Sequence, residues 1–372
     1  MIVYPAGSDR DPAFFLYTPT SGGIAMQYVI PSSDTRVRLI GRMDLSRTPV
    51  ALDWTGSGLE CTFRGSDLWA ELEAPALSPI MWMIVLADGA PVARFPVEPG
   101  IRFYPLVLGM EPQNARTVTL MKETQCMPDS PEATVLLHSL RMNGELGELP
   151  SRDLKIEFVG DSLTSGEGSL APRGNDEWIT QWFSARGNYS WVACDALNAE
   201  RRILSQSGWG VCWDWEHNPD HTLTAHYEEI AGVLRGPAAE KRGCTKPYDF
   251  AAWQPDIVCI RLGTNDNNGM NVRNSFEQDR ETLVQGMLDL LRLVRKNNPA
   301  AKIVWILPGS DCRPELPAEA VRRAREEGIS GLYTFTPPDY HEEDMGARFH
   351  PNAEWNRKAG LLLADYLRTE VL

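Results

Sequence analysis

The spacing of apolar positions divides the chain into two stretches of different texture. Up to about residue 145, apolar and polar residues alternate in short runs, as at Leu59, Cys61 and Phe63, and extended text continues through Trp69 and Leu72. Met81 to Leu86 leads through Asp88-Gly89 into Val92 to Val97, the signature of a hairpin closed by an Asp-Gly turn. Runs over 116–121 and 134–140 read the same way, and no helical period is evident. Short strands separated by turns at fairly even intervals predict an all-β sandwich or jelly roll over 1–150.

Beyond Ser151 the pattern changes. Lys155 to Val159 is a short β run that ends in Gly160, and 201–205, 256–262 and 302–307 are further strand-like runs. The last two are solidly apolar, as in strands covered on both faces. Leu283, Met287, Leu290, Leu291 and Val294 recur at helical spacing and predict a helix over 275–297, stopped at Asn297-Asn298-Pro299. Residues 314–328 and 352–369 also read as helices. Strand alternating with helix predicts a three-layer α/β/α domain with a parallel sheet over 151–372. The cluster Gly144, Gly147, Pro150 and Ser151 marks the junction.

Composition narrows the partners. Of 372 residues, 43% are hydrophobic and 23% charged, a globular mixture that excludes a disordered or fibrous chain. Fifty acidic against 36 basic residues give a net charge of −14, with no basic cluster, which argues against nucleic-acid and anionic-membrane partners. No apolar stretch approaches bilayer length. Seven cysteines, widely spaced and without a C-x-x-C pair, predict free thiols rather than a disulfide framework or a zinc site. The opening MIVYPAGSDRDPAFF lacks a basic region followed by an apolar run, so a cytoplasmic protein is expected.

In an open parallel sheet, ligands gather beyond the carboxyl ends of the strands, and four segments there carry candidate chemistry. Gly160-Asp161-Ser162-Leu163 follows the run 155–159 and places a serine on a tight strand-to-helix turn. Ser205-Gln206-Ser207-Gly208-Trp209-Gly210 follows 201–205, and the Gly208 N–H is a candidate oxyanion donor. Gly263-Thr264-Asn265-Asp266 follows 256–262 and supplies a side-chain amide donor in Asn265. His350, in Phe349-His350-Pro351-Asn352 before the last helix, is a candidate general base. Taken singly, each is ordinary turn or capping text. Their joint occurrence, each at an element's end, favours a serine hydrolase.

These four blocks resemble those of the SGNH (GDSL) hydrolase superfamily, and with a β domain in front the whole chain resembles the family 2 carbohydrate esterases. Trp54-Thr55-Gly56-Ser57, Phe63-Arg64-Gly65 and Ser207-Gly208-Trp209-Gly210 add to the likeness. The resemblance implies Ser162 as nucleophile, His350 as base, and the Ser162 N–H, the Gly208 N–H and the Asn265 side chain as oxyanion donors. It further implies an acetylesterase acting on acetylated plant-type oligosaccharides derived from xylan or mannan, with no metal and no cofactor. Alternatives are an acyl hydrolase for another ester, such as a short-chain lipid or thioester, and a non-catalytic carbohydrate-binding protein. Homo-oligomerisation stays open.

One position departs from the superfamily pattern. The Asp usually found three residues before the His is Ala347 here. Asp344, with Glu343 behind it, is the nearest substitute to orient His350, the other option being a Ser-His dyad. Trp209, beside the oxyanion glycine, is a candidate for stacking on a sugar face. His217, His221 and His226 lie close together, but Pro219 breaks any helix that would align them, so a polar loop is expected there and not a metal site. His341-Glu342-Glu343-Asp344 reads as a solvated acidic loop, and Gly166-Glu167-Gly168 is not a phosphate loop.

Overall fold

The computed structural model describes residues 26–372, and the opening stretch read for a leader lies outside them. Nine strands build the first half: β1 (Gln27–Val29), β2 (Val37–Ile40), β3 (Val50–Leu52), β4 (Gly58–Ala74), β5 (Trp82–Ala87), β6 (Ala90–Pro96), β7 (Gly100–Val107), β8 (Ala115–Lys122) and β9 (Val135–Leu146). Their ladders are antiparallel. The seventeen-residue β4 organises them. Its first residues pair with β2 and β8, its last with β7, and β9 runs along Phe63–Glu73.

The exchange of partners falls near Gly65, where the register with β9 shifts. A Cβ on Gly65 would lie 2.3 Å from the Asn143 carbonyl oxygen, so only glycine fits this crossing. Strand β4 thereby passes from one leaf of an antiparallel sandwich to the other. Leu59, Cys61 and Phe63 before the crossing and Leu68, Ala70 and Leu72 after it all point into one core. The expected Asp-Gly hairpin is β5–β6. Asp88 (φ 49°) and Gly89 (φ 79°) both take the left-handed conformation that its tight turn requires.

The second half carries β10 (Leu154–Gly160), α1 (Ser162–Ser165), α2 (Tyr189–Ala196), β11 (Ala199–Ser205), α3 (Pro237–Arg242), β12 (Ile257–Arg261), α4 (Thr264–Arg273), α5 (Phe276–Asn297), β13 (Lys302–Ile306), α6 (Glu315–Glu326), β14 (Leu332–Phe335) and α7 (Ala353–Tyr366). The five strands form a parallel sheet in the order β11-β10-β12-β13-β14. Because side chains alternate along a strand, each strand feeds both faces. Val258 and Ile260 of β12, with Ile303 and Trp305 of β13, pack on Leu283, Met287 and Leu291 of α5 and Ala320 of α6. Ile257, Cys259, Val304 and Ile306 face the other way, onto Ala193 of α2 and Trp355 and Leu363 of α7. This is the predicted three-layer arrangement. Among the described residues no helix is long and apolar enough to cross a membrane.

The two halves share buried surface. Trp54 and Cys126 of the first half belong to the apolar cluster under α5 and α6, and the Trp54 indole donates to the Ile230 carbonyl (2.7 Å). Arg42, just past β2, meets Glu157 of β10 through Nε (3.1 Å) and Nη2 (2.9 and 3.0 Å), with both side chains removed from solvent. Tyr227 donates its hydroxyl to the same carboxylate (2.9 Å), and the guanidinium lies over the Tyr227, Tyr248 and Phe250 rings. Removing one partner of such a pair strands a buried charge, at about 3–5 kcal/mol, whereas replacing both by apolar residues is often neutral. Arg42→Ala is therefore expected to lower the free energy of unfolding by that amount. Arg42→Met with Glu157→Leu should recover most of the loss, as read by urea unfolding.

Candidate active site

Strand register brings the candidate groups together. Gly160 of β10 is opposite Ser205 of β11 on one side and Arg261 of β12 on the other. The loops carrying Ser162, Gly208 and Asn265 therefore leave three adjacent strands at one level. Chain connections run to opposite sides of β10 here, which is the switch point where open parallel sheets place their ligands.

Ser162 is the first residue of α1, so its N–H has no acceptor within the helix. Asp161 caps that turn by accepting the Leu163 N–H (3.0 Å). Burial pushes the Asp161 carboxyl up to about 6, against the pull of the Arg261 charge, and its second oxygen is buried without a hydrogen-bond partner among the described residues. The floor of the turn is polar and closed: Thr164 Oγ1 meets the Tyr189 hydroxyl (2.8 Å), Asn188 Nδ2 donates to the Leu163 carbonyl (2.6 Å), and Ser165 Oγ donates to Ser205 Oγ (2.9 Å). Ser162 itself is 9% exposed.

The second loop turns at Gly208 (φ 79°), whose carbonyl accepts the Trp215 N–H (3.0 Å). Asn265, on the first turn of α4, donates Nδ2 to the Trp209 carbonyl (3.0 Å) and so joins the loops that follow β11 and β12. An amide nitrogen carries two protons, so one remains for a ligand. Beside it the buried Asp266 carboxylate accepts the N–H groups of Val211 (2.9 Å) and Cys212 (2.8 Å). Burial pushes this carboxyl up to about 6, and the hydrogen bonds hold it from rising further. Asp266 was not singled out from the sequence. Its role exists only once residues 211–213 fold over it.

His350 sits on a loop fastened by its own backbone. Gly346 N–H donates to the His350 carbonyl (2.7 Å), His350 N–H to Ala347 (3.0 Å), and Ala347 N–H to Gly168 (3.0 Å), six residues after Ser162. Arg348 and Phe349 both take left-handed φ, 54° and 59°, and Arg348 Nε pairs with Glu167 (2.8 Å). Asp344 does not orient the imidazole. Its carboxylate accepts the His341 N–H (3.0 Å) as a helical-turn cap, and His350 Nδ1 is buried without a hydrogen-bond partner among the described residues. The expectation for Asp344 is thus corrected: the short turn Glu342–Asp344 claims it locally.

Trp209 is also corrected. It is 8% exposed, with His221 stacked flat on its ring (5.0 Å, 12°) and His226 tilted against it, so no face is left for a sugar. The exposed aromatics nearby are Trp215 (51%), whose ring edge borders Gly208, and Phe349 (77%), next to His350. Sequence reading passed over both, since exposure is not legible in an isolated aromatic. The three histidines each face a carboxylate, His217 with Asp279, His221 with Asp214 and His226 with Glu229, and no group of three or more metal-ligating side chains occurs among the described residues.

A serine at the switch point of a parallel sheet, with backbone and amide donors converging from two neighbouring strands, defines the acyl-hydrolase class of site. The model of the GDSL-like Lipase/Acylhydrolase family matches residues 158–358, and the chain belongs to that family. A solved acetyl xylan esterase from the rumen bacterium Butyrivibrio proteoclasticus is 32% identical, with a TM-score of 0.89, covering 93% of this chain and 98% of that one. A family two carbohydrate esterase from Clostridium thermocellum, solved with cellohexaose, shares the fold (TM-score 0.76, 22% identity, 90% of this chain and 98% of that one). Over 331 residues the chain is 26% identical to a cellulase/esterase of Acetivibrio thermocellus, covering 86% of this chain and 37% of that protein's length.

Two substitutions separate the roles of these groups. Losing an oxyanion donor costs about 10²–10³ in kcat, so Asn265→Ala should lower kcat by that factor with KM changed less than about threefold. Replacing the Asp of a working triad by Asn costs about 10⁴. Asp344→Asn keeps the cap on His341 and should leave kcat within about threefold, measured on a chromogenic acetyl ester.

Proposed function

We propose that the chain is a serine esterase that removes O-acetyl groups from plant-type oligosaccharides of xylan or mannan origin. The observation that carries this reading is the convergence of Ser162, Gly208 and Asn265 at the ends of three strands in register, with the His350 loop bonded to the loop that follows Ser162. The acetyl xylan esterase relative, matched over nearly its whole length, supports the substrate.

In this reading, Ser162 Oγ attacks the acetyl carbonyl while its proton passes to His350. The carbonyl oxygen takes up the negative charge and is held by the Ser162 and Gly208 N–H groups and the second Asn265 amide proton. The C–O bond to the sugar breaks, and His350 returns the proton to the departing sugar hydroxyl. Water then attacks the acetyl-enzyme, giving acetate and restoring Ser162. No carboxylate among the described residues steadies the imidazole, so the pair acts as a dyad. Trp215 and Phe349 supply apolar walls for the sugar. A nucleophile that is 9% exposed suits a short acyl group better than a long chain. A reducing, cytoplasmic setting is part of the reading, since Cys61, Cys126, Cys194, Cys244 and Cys259 are buried thiols outside any disulfide and burial pushes Cys61 and Cys194 up to about 12.

Acetate release from acetylated xylo- and manno-oligosaccharides, followed by proton NMR, tests the reading. The wild-type chain should deacetylate at least one of them, and Ser162→Ala should release none. Nitrophenyl acetate should be turned over at least about tenfold better than nitrophenyl octanoate. Full activity in Ser162→Ala would sink the mechanism.

A further inference from the structure

Gly208 can donate to an oxyanion only if its peptide is held in place, and it is held from both sides. On the C-terminal side Asn265 holds the Trp209 carbonyl (3.0 Å). On the N-terminal side the partner comes from the β half of the chain. Gln125 Oε1 accepts both the Ser207 N–H (2.9 Å) and the Ser207 hydroxyl (2.8 Å). Gln125 is 2% exposed and lies just past β8.

The segment that carries Gln125 is itself anchored. Lys122, fully buried, donates Nζ to the carbonyls of Asp53 (2.5 Å) and Gln125 (2.9 Å). The Glu123 carboxylate accepts the Ser184 hydroxyl (3.0 Å), the Arg186 N–H (3.2 Å) and Arg94 Nε (2.5 Å). Ser184 N–H in turn donates to the Gly166 carbonyl (3.0 Å), directly after the helix that begins with Ser162. Residues 122–125 therefore bear on both turns of the site, the one with the oxyanion glycine and the one after the nucleophile.

We propose that Gln125 is a positioning residue for the oxyanion hole, so that the β half of the chain is part of the catalytic apparatus. The proposal rests on the esterase reading above. Two donors of the half-buried Ser207 share the oxygen of a buried amide, and without it both lose their acceptor and the turn relaxes. Oxyanion donors act within about 2.7–3.1 Å of the developing charge, and a misplacement of about 1 Å can cost on the order of 10²-fold.

The test uses the full chain, nitrophenyl acetate, and titration of competent Ser162 with a serine-reactive phosphonate, so that misfolded molecules drop out of the rate. Gln125→Leu should lower kcat per titrated site by roughly 10–100-fold, with KM within about threefold. Gln125→Glu keeps the acceptor oxygen and should restore kcat to within about fivefold of wild type. An unchanged kcat per site in Gln125→Leu overturns the proposal, as does a Gln125→Glu that is as slow as Gln125→Leu. If Gln125→Leu does not fold, Ser207→Ala removes one of the two donors and should still lower kcat about threefold or more at constant KM. An unchanged kcat there overturns the proposal too. Failure of the esterase reading is seen separately, as no hydrolysis by the unsubstituted chain.

Discussion

In the parallel pairing of β11, β10 and β12, Gly160 stands between Ser205 and Arg261, and the chemistry of the chain depends on that alignment. Two residues beyond Gly160 comes Ser162, three beyond Ser205 comes Gly208, and four beyond Arg261 comes Asn265. A slip of one residue in either ladder would turn the inward side chains outward. It would also shift an oxyanion donor by more than 3 Å, a strand residue's rise. Both ladders are locked by the alternation that feeds Val258 and Ile260 to one face and Ile257 and Cys259 to the other. The core under α5 and α6 and the core under α2 and α7 thus set the geometry of the site.

The β half adds a second constraint. Its contacts with the hydrolase half are buried and polar as well as apolar: Arg42 with Glu157, Trp54 with the Ile230 carbonyl, Gln125 with Ser207. Buried polar contacts are costly when one partner is lost, so they specify how the halves meet more sharply than apolar surface alone would. A tether with a flexible linker would not need them. The arrangement is that of a scaffold built into the site.

Much of this was legible in the sequence where a local rule decides the outcome. The Asp88-Gly89 turn needs two left-handed residues, and the sequence offers the pair that takes them most readily. The helix Phe276–Asn297 came within one residue of expectation, because its apolar stripe and its Asn-Asn-Pro stop are both local signals. Strands β7 and β14 were missed. The first, Gly100–Val107, is exposed along its first half and contains Pro105, and the second is four residues long. The short helix Thr264–Arg273 was missed as well, since Asn-Asp-Asn-Asn reads as turn text and is held helical by Asp266 gripping residues 211–213. In the candidate site, Ser162, Gly208, Asn265 and His350 stand out in the sequence because they follow strands or precede a helix. Asp344 and Trp209 were misjudged because proximity in sequence says nothing about which neighbour a side chain will meet first.

The absence of a carboxylate behind His350 among the described residues has a functional consequence. Ala347, at the position where an Asp is usual, is fully buried, and its backbone runs against Gly168 so closely that a Cβ there would lie 2.5 Å from the Ala347 carbonyl oxygen. The loop is therefore fixed by backbone contact, which sets where the imidazole begins but leaves Nδ1 without a partner. In the proposed dyad, no carboxylate among the described residues stabilises the imidazolium, so more of the transition-state stabilisation would come from the oxyanion donors. The hydrogen bonds are distributed in the same sense. Gln125, Asn265, Asp266 and the Trp215 N–H all hold the turn from Ser207 to Trp213, while the imidazole of His350 has no hydrogen-bonded partner on its Nδ1 side. In the proposed mechanism, rigidity is thus concentrated where charge would develop on the substrate.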